Sequence, residues 1–451
     1  MHIEAFVQGG VTMSMTMTRS GFLRGALAVA GAARDRSSAV TASRVPAVPA
    51  EPGNYRVLVL SGGIAYGAYE AGVLYGLTRA AGGPRAYDAV CGTSAGALNG
   101  AMYVSGNLEP LRNLWLTVST RRVLVVKPQF ATILQKSAGI GTRAYQLISL
   151  LLGVTGGNIR ATCQSDPVTT ILRELLAPNG KIVDFSIPLF WAVTDLTDGC
   201  GGVFYRDAGH SGNASPAYRN AVSRVMGTAP ASGRYLTNAF GVRFIGVETA
   251  DEFIETLRAS SAIPGVFDPA DIDGRLLVDG GVVNNTPLAL VRQAVQNGPV
   301  TVDVVLLGSD FRGQENAKSK NLIQIVQGLY ALIGQRLTDD AVRALAGQDV
   351  ASRSSRALVD MRSALAAQSA SGRSLSTKVE ALKQLTGDAY LPNDVTINMI
   401  RPSIPQLNGN ALDFTDQNAI TANFNQGLYD VTTFGFTPYQ TPTTVCELGS
   451  G

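Results

Sequence analysis

Histidine is almost missing from this chain: of 451 residues, only His2 and His210 carry an imidazole. That scarcity excludes a histidine-built metal site, which needs several such ligands converging on one ion. It also leaves any serine–histidine–acid scheme very little to work with. Cysteine is sparse too. Cys91, Cys163, Cys200 and Cys446 stand far apart with no CxxC pair, so neither zinc binding nor thioredoxin-like redox chemistry is indicated. No apolar run approaches the ~20 residues of a membrane-spanning helix. The longest candidate, 147–154, is far too short. Lysine and arginine form no dense run and the net charge is only +3, which argues against a nucleic-acid partner.

What is present is the composition of a folded protein. Hydrophobic residues make up 45% and charged residues 16% of the chain, too apolar for a disordered one. The length allows one large core or two to three smaller ones.

Residues 1–53 read differently from the rest. From Thr18 the sequence TRSGFLRGALAVAGAARD places basic residues before a Phe-Leu pair and a short run of Ala, Leu, Val and Gly. It resembles a twin-arginine export signal of bacteria, with Ser20 where the second arginine would stand, and so points to an exported protein. A disordered Ala/Ser-rich tail on a cytoplasmic protein is the alternative. Residues 44–53 (RVPAVPAEPG) form a Pro/Ala spacer. The folded domain is expected over 54–440, with a helical insertion at 316–384, a closing strand and helix over 385–440, and a tail from 441 to 451.

Residues 55–60 (YRVLVL) have the β-branched and leucine content of a buried strand. The glycine loop SGGIAYG at 61–67 and a helical pattern over 68–80 follow. Residues 87–99 (YDAVCGTSAGALN) repeat the order of strand, tight turn and helix, with a serine at the turn. Such a turn is so sharp that a side chain two positions either side of the serine would strike the flanking strand or helix, hence Gly92 and Gly96. The serine hydroxyl then stands at a helix N-terminus, where N–H dipoles favour developing negative charge. Ser94 is the candidate nucleophile.

Further strands are expected at 187–194, 203–205, 276–278, 302–307 and 395–400, and helices at 108–117, from Asp166-Pro167 onward, and at 416–429. Thr286 as N-cap with Pro287 at the first helical position marks a helix after the Asp279-Gly280-Gly281 turn. Strands alternating with helices indicate an α/β sandwich with a largely parallel sheet.

The glycine loop at 61–67, GTSAG at 92–96 and DGG at 279–281, in that order, resemble the patatin-like phospholipase family. Supporting stretches are LSGG and GAYEAGVL within 60–74, ASSAIPGVF at 259–267, DGGVVNNTPL at 279–288, and LDF and GLYD within 412–430. The resemblance implies a three-layer α/β sandwich and a serine–aspartate dyad hydrolase acting on lipid acyl esters. Ser94 would attack the ester carbonyl and Asp279 would take its proton. The oxyanion would be held by backbone N–H groups of Gly62 and Gly63, with Ile64 next in the loop, and Gly92, Gly96, Gly280 and Gly281 would support the turns. No cofactor and no metal are implied. The expected partners are a lipid or phospholipid substrate and the membrane or lipid-aggregate surface that holds it.

The loop departs from the family's usual Gly-Gly-Gly-x-Arg/Lys-Gly. Ile64 keeps its N–H, but a β-branched residue adopts a positive φ only with strain, and Tyr66 removes a positive charge. A catalytically weak lipid-binding scaffold is therefore the alternative reading. An α/β-hydrolase triad places its histidine last in the chain, and none follows His210. The apolar stretch 147–154 is expected to contribute to the lipid entrance or a cover.

Overall fold

The computed structural model describes residues 2–7, 11–16, 55–81, 87–117, 123, 125–128, 160–161, 163–185, 187–206, 216–226, 235–237, 242–296, 299–307, 338, 341–345, 395–404, 407–409, 414 and 416–438. The chain divides into two units, Met1–Arg44 and Val45–Gly451. In the first, strands His2–Val7 and Val11–Thr16 pair antiparallel, His2 opposite Thr16. The export-signal stretch from Thr18, the spacer at 44–53, the entrance stretch at 147–154 and His210 lie outside the described residues, as does the tail from 441.

The second unit is built on an eleven-stranded sheet. Its elements in chain order begin with β1 (Tyr55–Leu60), α1 (Gly67–Ala81), β2 (Ala89–Thr93), α2 (Ala95–Val104), α3 (Leu108–Thr117) and α4 (Asp166–Leu176). Then come β3 (Leu189–Asp195), β4 (Cys200–Arg206), α5 (Pro216–Met226), β5 (Tyr235–Thr237), β6 (Arg243–Val247) and α6 (Ala250–Ser260). The chain continues through β7 (Ala270–Ile272), β8 (Arg275–Asp279), α7 (Gly281–Asn284), α8 (Arg292–Gln296), β9 (Val300–Val305), β10 (Val395–Ile400), α9 (Gln417–Thr433) and β11 (Thr437–Pro438). The strand order is β11-β10-β9-β1-β2-β3-β4-β6-β5, and the stretch from β10 to β3 is parallel throughout.

Both faces of this sheet are covered, and the strand period of two shows how. Along β1, Leu58 and Leu60 enter one core while Tyr55, Val57 and Val59 enter the other. Along β3, Leu189, Trp191 and Val193 face the first and Phe190 the second. Residues i and i+2 of a strand share a face, so two separate clusters mean helices on both sides. The first is filled from α1, α2, α3, α4, α6 and α9, the second from α5, α8 and the 288–291 turn. This is the three-layer α/β sandwich with a mostly parallel central sheet expected from the sequence.

Helices α1 and α9 cross so closely that a Cβ on Gly72 would lie 2.0 Å from the Phe424 carbonyl oxygen, and one on Gly427 1.9 Å from that of Tyr69. The Tyr69 hydroxyl donates to Asp430 at 3.0 Å across the same contact. The GLYD stretch thus fixes the helix that follows the glycine loop.

One expected element differs. Instead of a loop over 282–286 and a helix capped by Thr286, the chain coils at once after Asp279 into the one-turn helix α7. A 3-10 turn, Leu288–Val291, then leads into α8. The Thr286 hydroxyl is taken by Thr338 at 2.8 Å rather than capping a helix. Burial overrides the cap signal here: Leu288, Leu290 and Val291 all sit in the second core, a spacing that one regular helix face does not supply. Within 316–384, the described residues Thr338 and 341–345 are helical, with Val342 and Leu345 buried.

Candidate active site

The register of β3 assembles the site. Strand β4 occupies one edge of β3 from Phe190 to Asp195, so β2 and β8 must share the other edge. Strand β2 runs parallel to β3 and ends with Thr93 opposite Ala192, whereas β8 runs antiparallel and ends with Asp279 opposite Val193. Their C-terminal ends therefore converge. Ser94 Oγ donates to Asp279 Oδ2 at 2.6 Å, across 185 positions of sequence.

Ser94 stands at the strand-to-helix turn with φ 54° and ψ −124°, a left-handed conformation that costs a non-glycine residue about 1–3 kcal/mol. Both flanking glycines are sterically required. A Cβ on Gly92 would meet the Gly96 carbonyl oxygen at 2.5 Å, and one on Gly96 would meet that of Leu60 at 2.5 Å. The serine is the N-cap of α2, so the helix's N-terminal dipoles point at it.

Asp279 is buried, at 2% exposure. Burial pushes its carboxyl up to about 6, against the lowering effect of the Ser94 hydroxyl and of the Gly281 N–H, which donates to Oδ1 at 2.7 Å. A buried carboxylate with no cation against it is a stronger base than an exposed one. Gly280 donates to the Ser260 carbonyl at 3.3 Å, and the Asp279 N–H to that of Ala262 at 3.0 Å. Thr194 Oγ1 donates to the Asp279 carbonyl at 2.9 Å.

The glycine loop meets the same centre. The N–H of Gly62, expected as an oxyanion donor, donates to the Asn285 carbonyl at 3.0 Å, and Asn285 Nδ2 returns a bond to the Gly62 carbonyl at 3.3 Å. Gly62 is thus committed to holding the loop against the residue after α7. Among the described residues, the N–H groups of Gly63 and Ile64 take no protein acceptor. Ile64 has φ 55°, the strained positive value anticipated for a β-branched residue there. Tyr66 is half-buried and its hydroxyl reaches the Gly409 carbonyl at 3.3 Å.

Two positioning groups had no assigned role in the sequence reading. Ser260 Oγ accepts from the Ser94 N–H at 3.0 Å and donates to the Ala192 carbonyl at 2.7 Å, pinning the Ser94 backbone to β3. Asn285 pins the glycine loop. Both fall inside the quoted stretches ASSAIPGVF and DGGVVNNTPL, but no spacing rule marks either one. Beside Ser94 an apolar cavity opens, lined by Ile64, Ala95 and Trp115 together with leucine, valine and phenylalanine side chains.

Among the described residues, Asp195, Asp198 and Cys200 bring ligand-type atoms within 4.8 Å of one another. Arg275 already pairs with both carboxylates and Arg243 with Asp198, so this acidic group is charge-balanced within the protein.

Comparison with known proteins follows the same outline. In sequence, the chain is 48% identical over 54 residues to an uncharacterized NTE family protein of Mycobacterium tuberculosis (strain ATCC 25618 / H37Rv), covering 12% of this chain. An uncharacterized NTE family protein of Mycobacterium bovis matches to the same extent. The matched segment spans only 14% of the length of these relatives. Among solved structures, VipD from Legionella pneumophila aligns over 86% of this chain and 68% of its own at 12% identity, with a TM-score of 0.30. The type III effector protein ExoU aligns over 76% of this chain and 70% of its own at 15% identity, with a TM-score of 0.20. The patatin-like phospholipase family model matches residues 58–292, just over half of the chain, from within β1 to the first residue of α8. The chain belongs to the patatin-like phospholipase family.

Proposed function

We propose that this chain is a lipid acyl hydrolase that cleaves carboxylic esters through Ser94 as nucleophile and Asp279 as base. The observation that carries this reading is the 2.6 Å hydrogen bond between Ser94 Oγ and Asp279 Oδ2 in a buried setting. The hydroxyl gives its proton to the carboxylate as Oγ attacks the ester carbonyl, and the protonated Asp279 returns that proton to the departing alcohol. Water then repeats the sequence on the acyl-serine and releases the acid. The oxyanion falls to the N–H groups of Gly63 and Ile64, where losing one such donor costs about 2.7–4 kcal/mol of transition-state stabilisation. Ile64 opens the 3-10 turn Ile64–Tyr66, where a first-turn N–H has no intrahelical acceptor and is free for this role.

The apolar cavity beside Ser94 supports an acyl chain as the group bound there. Val282 and Val283, three and four residues beyond Asp279, are exposed and suit an enzyme that meets its substrate at a membrane or lipid-aggregate surface.

The test is hydrolysis of a panel of diacyl phospholipids, lysophospholipids and simple acyl esters by the purified chain. Activity that disappears in Ser94→Ala and in Asp279→Asn but survives His210→Ala supports the dyad. Activity lost in His210→Ala and kept in Asp279→Asn overturns it. A folded chain with no Ser94-dependent hydrolysis of any ester supports the lipid-binding scaffold instead.

A further inference from the structure

A polar relay lies behind one wall of the acyl cavity. Trp115 Nε1 donates to Asn99 Oδ1 at 2.9 Å, and Asn99 Nδ2 donates to Glu70 Oε1 at 2.9 Å and to the Gly67 carbonyl at 3.0 Å. Glu70 and Asn99 are buried, at 0% and 1% exposure. Every polar atom of the Asn99 side chain is used within this relay, so the wall that Asn99 and Trp115 present to the cavity behaves as apolar. Trp115 is also stacked on Phe414, with ring centroids 6.3 Å apart and planes 18° from parallel. An indole held by a hydrogen bond on one side and a ring on another has little freedom to swing aside.

Its place is set by Gly67. A Cβ there would lie 2.8 Å from Trp115 Cζ2 and 2.9 Å from Ala95 Cβ, so the edge of the indole stands beside the residue that follows the nucleophile. Ala95 directly follows Ser94 in the chain, and both line the cavity together with Trp115.

We propose that Trp115 is a specificity-determining residue of this site: its fixed indole bounds the room for the first acyl carbons, so the site takes esters of straight-chain acids and rejects acyl groups branched beside the carbonyl. Glu70 and Asn99 act through it as positioning residues. Burial raises the Glu70 carboxyl to about 8, which keeps it neutral at ordinary pH and spares the acyl wall a charge. The inference rests on the ester-hydrolase reading given above.

Two measurements test it. The first compares kcat/KM for p-nitrophenyl butyrate and p-nitrophenyl 2-methylpropanoate in the wild-type chain, Trp115→Phe and Trp115→Ala. A gap the size of one methyl group is worth about tenfold or more in this ratio. The branched-to-linear ratio is expected to rise by that amount in Trp115→Ala and by less in Trp115→Phe, which keeps a ring against Phe414 and guards against misfolding. An unchanged ratio in variants that still cleave the linear ester overturns the proposal.

The second measurement needs no turnover. Trp115 and Trp191 are the chain's two tryptophans. Trp191 Nε1 is buried without a partner, so Trp191→Phe removes no hydrogen bond, and in Ser94→Ala/Trp191→Phe the emission comes from Trp115 alone. Fatty acids brominated at carbon 2 are expected to quench that emission more than those brominated at the chain end. Equal quenching, or none, overturns the placement of Trp115. If the wild-type chain shows no Ser94-dependent hydrolysis, the functional reading fails by itself, and the quenching still decides whether the indole flanks the head of a bound chain.

Discussion

Thr93 and Asp279 end two strands on consecutive residues of a third, Ala192 and Val193 of β3. One strand runs with β3 and the other against it, so the next residue after Thr93 meets the Asp279 carboxylate head-on. The dyad contact is thus a property of sheet register. A slip of one residue in either strand would turn the reacting side chain to the other face.

Removal of either member of the pair is expected to lower kcat by about a thousandfold or more, with little change in KM, because the proposed roles of both lie in the chemical step. Burial raises the Asp279 carboxyl to about 6, and the base must be ionised to work. Activity in wild-type protein therefore rises with pH through about 6 and is lost as pH falls below it. A kcat/KM profile from pH 4 to 8 checks this, and Asp279→Asn has no such limb in its residual rate.

The same raised value carries a stability cost. Stability contributed by the neutral carboxyl is fully present below the unfolded-state value, ~3.9, and is lost as pH rises through about 6. At pH 7 Asp279→Asn is expected to be more stable than wild type. Urea unfolding of the two chains at pH 5 and pH 7 should show the gap widening at the higher pH.

Ser260→Ala removes the acceptor of the Ser94 N–H and the donor to the Ala192 carbonyl. Leaving those buried groups unpaired costs about 1–3 kcal/mol. We expect a lower Tm together with a kcat reduced by about tenfold or more, while Glu174→Ala, at an exposed site on α4, changes neither. Calorimetry and steady-state kinetics on the same preparations provide the check.

Glu70→Gln addresses the relay behind the acyl wall. The folded Glu70 carboxyl is raised to about 8, so the native chain holds a proton that the unfolded chain has lost above ~4.3. Wild-type stability from this group falls as pH rises across that interval. Glutamine carries no such slope, so in denaturant titrations its stability relative to wild type should rise as pH increases from ~4.3 and level off near 8.

Much of this was legible in the sequence, for reasons that differ by element. Strands β1, β2 and β3 are buried on both faces, so their unbroken apolar runs stood out. The elbow was readable because the steric need for Gly92 and Gly96 is local. The convergence of Ser94 and Asp279 was reachable only through the family resemblance, since strand register is a long-range property. Other features left no local mark. Gly62 has the composition of an oxyanion donor, yet its N–H is spent on Asn285. Ser260 looks like any small residue at a helix end. At Thr286-Pro287 a sound capping signal lost to the burial of Leu288, Leu290 and Val291.

The most direct test of the dyad is labelling by a fluorescent serine-reactive phosphonate, with the modified residue mapped by peptide mass. The account predicts a single adduct on Ser94, absent in Ser94→Ala and formed far more slowly in Asp279→Asn. A folded wild-type chain that stays unlabelled, or one labelled equally well with Ser94 replaced, would contradict it.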